Sequence, residues 1–85
     1  MYLRNGGYET KTLSINADFT EVIVLMSSSY DSTSVRVTSY SNMTQIVYKR
    51  INGHNSSAYL YVFKKNKGET ASLTAYWESA YVIAR

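Results

Sequence analysis

Residues 57–64 read SAYLYVFK, a segment in which small or aliphatic side chains alternate with rings. Successive side chains of a β-strand point to opposite faces of a sheet, so this alternation predicts a strand. One face carries the aliphatic side chains Ala58, Leu60 and Val62. The other face carries the aromatic side chains Tyr59, Tyr61 and Phe63. We expect the aliphatic face to pack into the core and the aromatic face to lie on the opposite side of the sheet.

The same period of two recurs between turn signals along the whole chain. Residues 8–15 have Leu13 and Ile15 on one face and hydroxyl side chains on the other. Residues 33–40 place Val35 and Val37 inward, and residues 70–77 oppose Leu73 and Trp77 to polar residues and Tyr76. Asn52-Gly53 is the strongest hairpin signal, because both residues tolerate positive φ.

Residues 22–26 are apolar at every position. This predicts either a strand central in a two-layer structure or a strand with one side against another subunit. With 80–84 as a last short strand after Glu78-Ser79, about seven strands are expected. They predict an all-β protein, an antiparallel two-sheet β-sandwich of jelly-roll or immunoglobulin-like type, as one domain over residues 1–85.

Composition limits the possible functions. The 85 residues include no Cys, so no disulfide supports the thin core, and small folds without such support often associate. The net charge of +3 is scattered, and its densest cluster, Lys64, Lys65 and Lys67, predicts a solvated loop, with an anion site as the alternative. The first residues do not resemble a signal peptide and no run is long enough to span a bilayer, which predicts no membrane partner.

Catalytic groups are scarce. His54 is the one histidine, and it lies in a turn signal. Metal sites need several His, Cys or carboxylate ligands together, and a nucleophilic Ser needs a base beside it. We therefore expect a non-enzyme with no catalytic residue, no metal and no cofactor.

The aromatic face of residues 57–64 is the feature with functional content. Three rings in a row on a face that is expected to be exposed to solvent predict an interaction site. Tyr and Ser in the loops are also typical of binding surfaces. The predicted ligand- or partner-binding residues are Tyr30, Arg36, Tyr40, Tyr59, Tyr61, Phe63, Tyr76 and Tyr81. The alternative is that this face forms a second buried layer. A sugar ring that stacks on tyrosine is one candidate ligand. Nucleic acid is disfavoured, because no RNP1 pattern is present and acidic residues interrupt the basic ones.

Three segments, residues 58–64, 68–70 and 76–84, together resemble the closing strands of small β-sandwich domains in phage and prophage virion proteins, especially tail-tip and fibre appendages. The resemblance covers about a third of the chain. It implies a virion-associated binding or structural module that forms a homo-oligomer, with a trimer among the assemblies, and that binds a host-surface glycan or a host protein.

The chain departs from that pattern because it starts at Met1 and has no shaft or anchoring segment. This leaves an alternative, a free-standing phage-encoded inhibitor or sponge in the host cytoplasm. It would capture a defence protein or a small ligand, with Arg36 and Arg50 as anion contacts.

Overall fold

The computed structural model describes residues 1–28, 35–53 and 56–85, which form six strands. The strands are β1 (Tyr2–Ile15), β2 (Glu21–Ser28), β3 (Arg36–Ser41), β4 (Thr44–Gly53), β5 (Ser56–Lys64) and β6 (Ala71–Ala84). Every pair of neighbours is antiparallel, so the predicted all-β antiparallel class is confirmed. Within these residues, no helix is long and apolar enough to cross a membrane.

The strands form one open sheet in the order β1-β6-β2-β5-β4, with β3 also paired to β6. β1 lies along one side of β6. On the other side, β2 pairs with the C-terminal half of β6 and β3 with its N-terminal half, as the pairs Val24↔Val82 and Tyr40↔Leu73 show. The Asn52-Gly53 signal marks the hairpin between β4 and β5, where Gly53 pairs with Ser56.

The two runs expected at residues 70–77 and 80–84 are halves of one continuous strand, β6. Alternate residues are buried up to Trp77, and the pattern resumes with the opposite parity at Ala80. The register with β1 shifts at the same place, between Arg4 and Glu9. An irregularity of this kind changes the face to which side chains point without ending the pairing. Glu78-Ser79 is therefore a break in phase and not a turn.

The core lies on one face of the sheet, which we call the inner face. Its buried apolar residues are Ile15, Val22, Val24, Met26, Val35, Tyr59, Tyr61, Phe63, Ala71, Leu73, Ala75, Trp77, Ala80 and Val82. The inward orientation predicted for Ile15, Val35, Leu73 and Trp77 is confirmed. In β2 one side is buried, whereas Leu25 on the other side is 40% exposed. β2 thus lies between β6 and β5 in the sheet, with one buried side and one open apolar side.

The orientation predicted for β5 is wrong. The three rings of this strand are almost fully buried, at 2% exposed for Tyr59, 6% for Tyr61 and 0% for Phe63. The aliphatic residues Ala58, Leu60 and Val62 are half-buried on the opposite, outer face. Rings bury more apolar area than these aliphatic side chains, so in a small domain they are the better filling for the interior. The rings of β5 are therefore buried, as the alternative stated, but they belong to the core on the inner face and not to a second layer.

Lys65 is also placed differently from the expectation. It is 7% exposed, and its ammonium donates to the backbone carbonyls of Ala17 at 3.3 Å, Phe19 at 2.7 Å and Asn66 at 2.8 Å. The solvated-loop prediction holds for Lys67, which is exposed, and is wrong for Lys65. Because the Lys65 ammonium is engaged with carbonyls, the alternative of an anion site there is not supported either.

Lys64 contacts the carboxylate of Glu21 at 2.7 Å, and Arg85 contacts the same carboxylate at 2.6 Å. The hydrogen bonds from Lys64 and Arg85 hold the pKa of Glu21 below its ordinary value. Backbone bonds between Glu21 and Arg85 join the same segments. The end of the chain is thereby tied to the start of β2.

Candidate interaction surfaces

The eight predicted binding residues do not form one surface. Tyr59, Tyr61 and Phe63 are in the core, so their predicted exposure is wrong. Tyr40 is half-exposed on the inner side of β3, while Arg36 lies opposite Tyr76 on the outer side of the sheet. Tyr81 is exposed on the outer side of β6. Tyr30 and His54 lie outside the residues that the structure describes.

Four rings from three strands form a continuous cluster on the inner face. The ring centroids are 4.9 Å apart for Tyr40 and Phe63, 6.1 Å for Phe63 and Tyr61, and 4.9 Å for Tyr61 and Tyr48. Tyr40 and Tyr48, at the two ends, are 41% and 50% exposed. The cluster attaches β3 and β4 to the inner face of β5 and leaves one ring at the surface on each side.

Tyr61 of this cluster and Arg50 beside it have structural contacts. The Tyr61 hydroxyl accepts a hydrogen bond from the Val37 backbone N–H at 3.3 Å, which links β5 to β3. The Arg50 guanidinium lies 5.5 Å from the centre of the Tyr59 ring and donates to Ser57 Oγ at 3.4 Å. The charge of Arg50, expected as an anion contact in the inhibitor hypothesis, is thus already used by the fold.

We predict that the domain loses stability as the pH rises above about 10, the ordinary pKa of tyrosine. Burial raises the pKa of Tyr61 above its ordinary value of 10.0, and the hydrogen bond from Val37 opposes this only in part. The unfolded chain therefore ionises first, so stability falls as the pH rises from the unfolded toward the folded pKa and stays at the reduced level above it. Urea denaturation between pH 8 and about 11 measures the effect. Tyr61→Phe should show a smaller loss over this range, and an equal loss would contradict the assignment to Tyr61.

The outer face carries an apolar patch that spans five strands, which we call the outer apolar face. It consists of two cross-strand rows, Tyr2, Tyr81, Leu25 and Leu60 in one and Ile83, Ile23, Val62 and Val47 in the other. The Tyr2 and Tyr81 rings are 4.7 Å apart. Leu25 and Val47 are 40% exposed, and Tyr81 is 55% exposed. Large apolar side chains are therefore open to solvent across the width of the sheet.

Paired hydroxyl groups and the ion-paired Lys64, Glu21 and Arg85 also lie on the outer face. Thr12 and Thr74 are joined at 2.9 Å and Ser41 and Ser72 at 2.7 Å. Ser27 and Ser79, 3.3 Å apart, lie beside the Leu25 and Tyr81 row. The outer apolar face thus has a polar boundary along the strands, which is the usual composition of an interaction patch with a polar rim.

An apolar pocket lies beside the core. It has a volume of about 420 Å³ and is lined by the core residues Ile15 and Val82 together with Met1, Phe19 and Ile83. Of these lining residues, Ile83 also belongs to the outer apolar face.

Most residues of the outer apolar face were not among the predicted binding residues. Tyr81 was, because its parity is opposite to that of Val82. Ile23 and Leu25 could be identified from the wholly apolar run 22–26. Leu60 and Val62 could not, because the side chains on their face of β5 were expected to point into the core.

Within the described part of the chain, no group of three or more His, Cys, Asp or Glu side chains could hold a metal ion. No known protein-family model matches the sequence. Comparison with curated proteins gives no significant match, and neither does comparison with solved structures.

Proposed function

We propose that this protein is a non-catalytic binding and structural module that self-associates, two copies packing their outer apolar faces together. The observation that carries the proposal is the outer apolar face itself. Single exposed apolar residues are common on soluble domains, but contiguous patches across a whole sheet mark interaction sites. A second copy is the partner that we propose; one feature sets the strength of the contact and a second favours this partner.

The first feature is size. Five strands about 4.8 Å apart and two side-chain rows about 6.7 Å apart cover about 24 by 13 Å, or about 320 Å² per copy. Two copies would bury about 650 Å² through these rows, which is less than the roughly 1,000 Å² of a specific, stable interface. The proposed contact is therefore weak and reversible.

The second feature is the distribution of charge. The centre of the outer apolar face, around Leu25 and Tyr81, carries no ionisable group other than tyrosine hydroxyls. Lys49 and Arg4 lie at opposite edges, on β4 and β1. A two-fold stacking of the faces therefore buries apolar surface in the middle and leaves cations at the rim, where solvent screens them.

We also propose that the sheet folds over on itself, so that the domain has the two layers of a sandwich. β3 and β5 are not neighbours in the sheet order, yet they touch through the Tyr61 and Val37 hydrogen bond and through the Tyr40 and Phe63 rings. These contacts support a sheet that coils until β4 and β5 cover β3, in the manner of two packed layers.

The setting that we propose is a phage virion-associated module, on the resemblance of the C-terminal third. Its glycan-binding part is supported by the half-exposed rings of Tyr40 and Tyr48, which can stack on sugar rings. A glycan array tests the proposed sugar binding, and Tyr48→Ala should abolish the binding signal on the array.

Leu25→Glu is predicted to weaken face-to-face association by at least about 30-fold, because a central apolar contact is replaced by a buried charge in each copy. Sedimentation at tens of micromolar should show the average mass halved relative to the wild type. Thr12→Glu, in the hydroxyl-lined part of the same face, is the matched control and should leave the mass unchanged. A wild-type protein that is strictly monomeric at this concentration would remove the proposal.

A further inference from the structure

β4 is an edge strand whose side chains are almost all open to solvent. It ends the strand order, and every residue of it other than Arg50 is exposed. Four of these are large and apolar: Ile46, Val47, Tyr48 and Ile51, at 50%, 40%, 50% and 52% exposed. A long apolar edge presents unpaired backbone N–H and C=O groups to any strand that can pair with it.

The other edge of the sheet has features that discourage such pairing. β1 carries the charged residues Arg4, Glu9 and Lys11, and Glu9 and Lys11 form an ion pair at 3.3 Å. Its register with β6 shifts between Arg4 and Glu9, which bends the strand away from a straight template. In β4 the register shift lies near the start, between Gln45 and Val47, and the pairing with β5 is regular from Val47 to Gly53.

We propose that β4 pairs antiparallel, across a two-fold axis, with β4 of a second copy. The proposal goes beyond face-to-face packing, since it uses the edge of the sheet and not its face. A second copy is favoured because the strand is self-complementary in a central register. Axes through Lys49 or Arg50 would set two cations directly opposite each other, which is destabilising.

An axis through Tyr48 avoids these like-charge pairs. It sets Tyr48 opposite the partner's Tyr48 and Val47 opposite the partner's Lys49. Aromatic cross-strand pairs are among the more stabilising ones, and the lysine stem can cover valine. This register is therefore the one in which we expect the two edges to join.

Edge pairing also extends the outer apolar face. Val47 belongs to that face and to β4, so the apolar rows of two paired copies continue from one sheet into the next. Two such pairs could then stack through their faces. Because edge and face contacts are each two-fold, together they give either a closed tetramer or an open assembly.

The test separates the two contacts in a Leu25→Glu background, in which the face contact is removed. This variant should remain a dimer through its edges. Adding Val47→Lys places a lysine opposite the partner's Lys49 on both sides of the two-fold axis. Adding Val47→Glu places a carboxylate opposite the partner's Lys49 instead. Both changes put one charge at the same exposed site, so they form a matched pair.

We expect the dimer of the Val47→Glu variant to dissociate at least about tenfold less readily than that of the Val47→Lys variant, measured by sedimentation equilibrium. Concentration-dependent protection of β4 amides in hydrogen exchange should accompany the dimer.

A Leu25→Glu protein that is monomeric, from a wild type that is dimeric, would overturn edge pairing and leave face packing intact. A Leu25→Glu dimer that Val47→Lys and Val47→Glu affect equally would overturn the proposed register and edge. If Leu25→Glu leaves the wild-type mass unchanged while Val47→Lys halves it, face packing fails and edge pairing stands.

Discussion

Phe63→Ala is expected to lower the free energy of unfolding by about 3–5 kcal/mol. Phe63 is 0% exposed, its ring lies against Tyr40 and Tyr61, and it is paired with the buried Val22 of β2. Removing the ring leaves a cavity that three strands border. A small domain is typically stable by only about 5–15 kcal/mol, so this single change removes a large fraction of the total. Urea denaturation followed by circular dichroism measures it.

The matched control is Val62→Thr, at the neighbouring position on the outer face. Thr keeps the β-branched shape that suits a strand, and Val62 is only half-buried, so we expect a loss of less than about 1 kcal/mol. Both variants are measured at a concentration at which the chain is monomeric, so that association does not contribute. Equal losses for the two variants would mean that β5 does not direct its rings inward.

The sequence was sufficient to predict the all-β class and several of the strand faces, although it divided β6 into two strands. In β1 and the first half of β6, apolar residues such as Ile15 and Leu73 alternate with hydroxyl side chains. Only one face of such a strand can be buried without loss, so period and orientation are both specified. The same logic correctly opposed Val82 to Tyr81.

β5 lacks this information, because both of its faces are apolar. The alternation separates Leu60 and Val62 from Tyr61 and Phe63, but parity alone does not say which set points inward. That choice depends on the volume enclosed when the sheet curls toward β3, and volume is a property of the assembled strands. Hydrophobic periodicity therefore predicted the element and not its orientation.

The outer apolar face required the register between strands. Leu25, Leu60 and Tyr81 come from three separate segments and meet in one row only because β2 lies between β5 and β6. The sequence contained one indication, the apolar run 22–26, which left a side of β2 without a partner. The contacts of Lys65 were likewise invisible, because the carbonyls of Ala17 and Phe19 are supplied by a turn far away in the chain.

Lys65→Met is expected to destabilise the domain by about 2–4 kcal/mol. Methionine retains the apolar stem but removes the donor to the carbonyls of Ala17, Phe19 and Asn66. The Ala17 carbonyl keeps its bond from the Gly68 N–H at 2.8 Å, so the loss falls on the partly buried carbonyls of Phe19 and Asn66, which lose a charged donor. The loop after β5 and the turn before β2 are also joined by a bond from the Lys65 N–H to the Thr20 carbonyl, which the substitution leaves in place. Thermal and urea denaturation together measure the loss.

Lys67→Met, in the same loop, is the control for the lost positive charge. Lys67 is exposed, so its replacement should change the free energy of unfolding by no more than about 0.5 kcal/mol. Salt gives a second distinction, because it screens exposed charges but has little effect on a buried ammonium that is bonded to carbonyls. The difference between Lys65→Met and the wild type should therefore persist at high salt. If the Lys65→Met protein is as stable as the Lys67→Met protein, water satisfies these carbonyls equally well and Lys65 does not hold the two segments together.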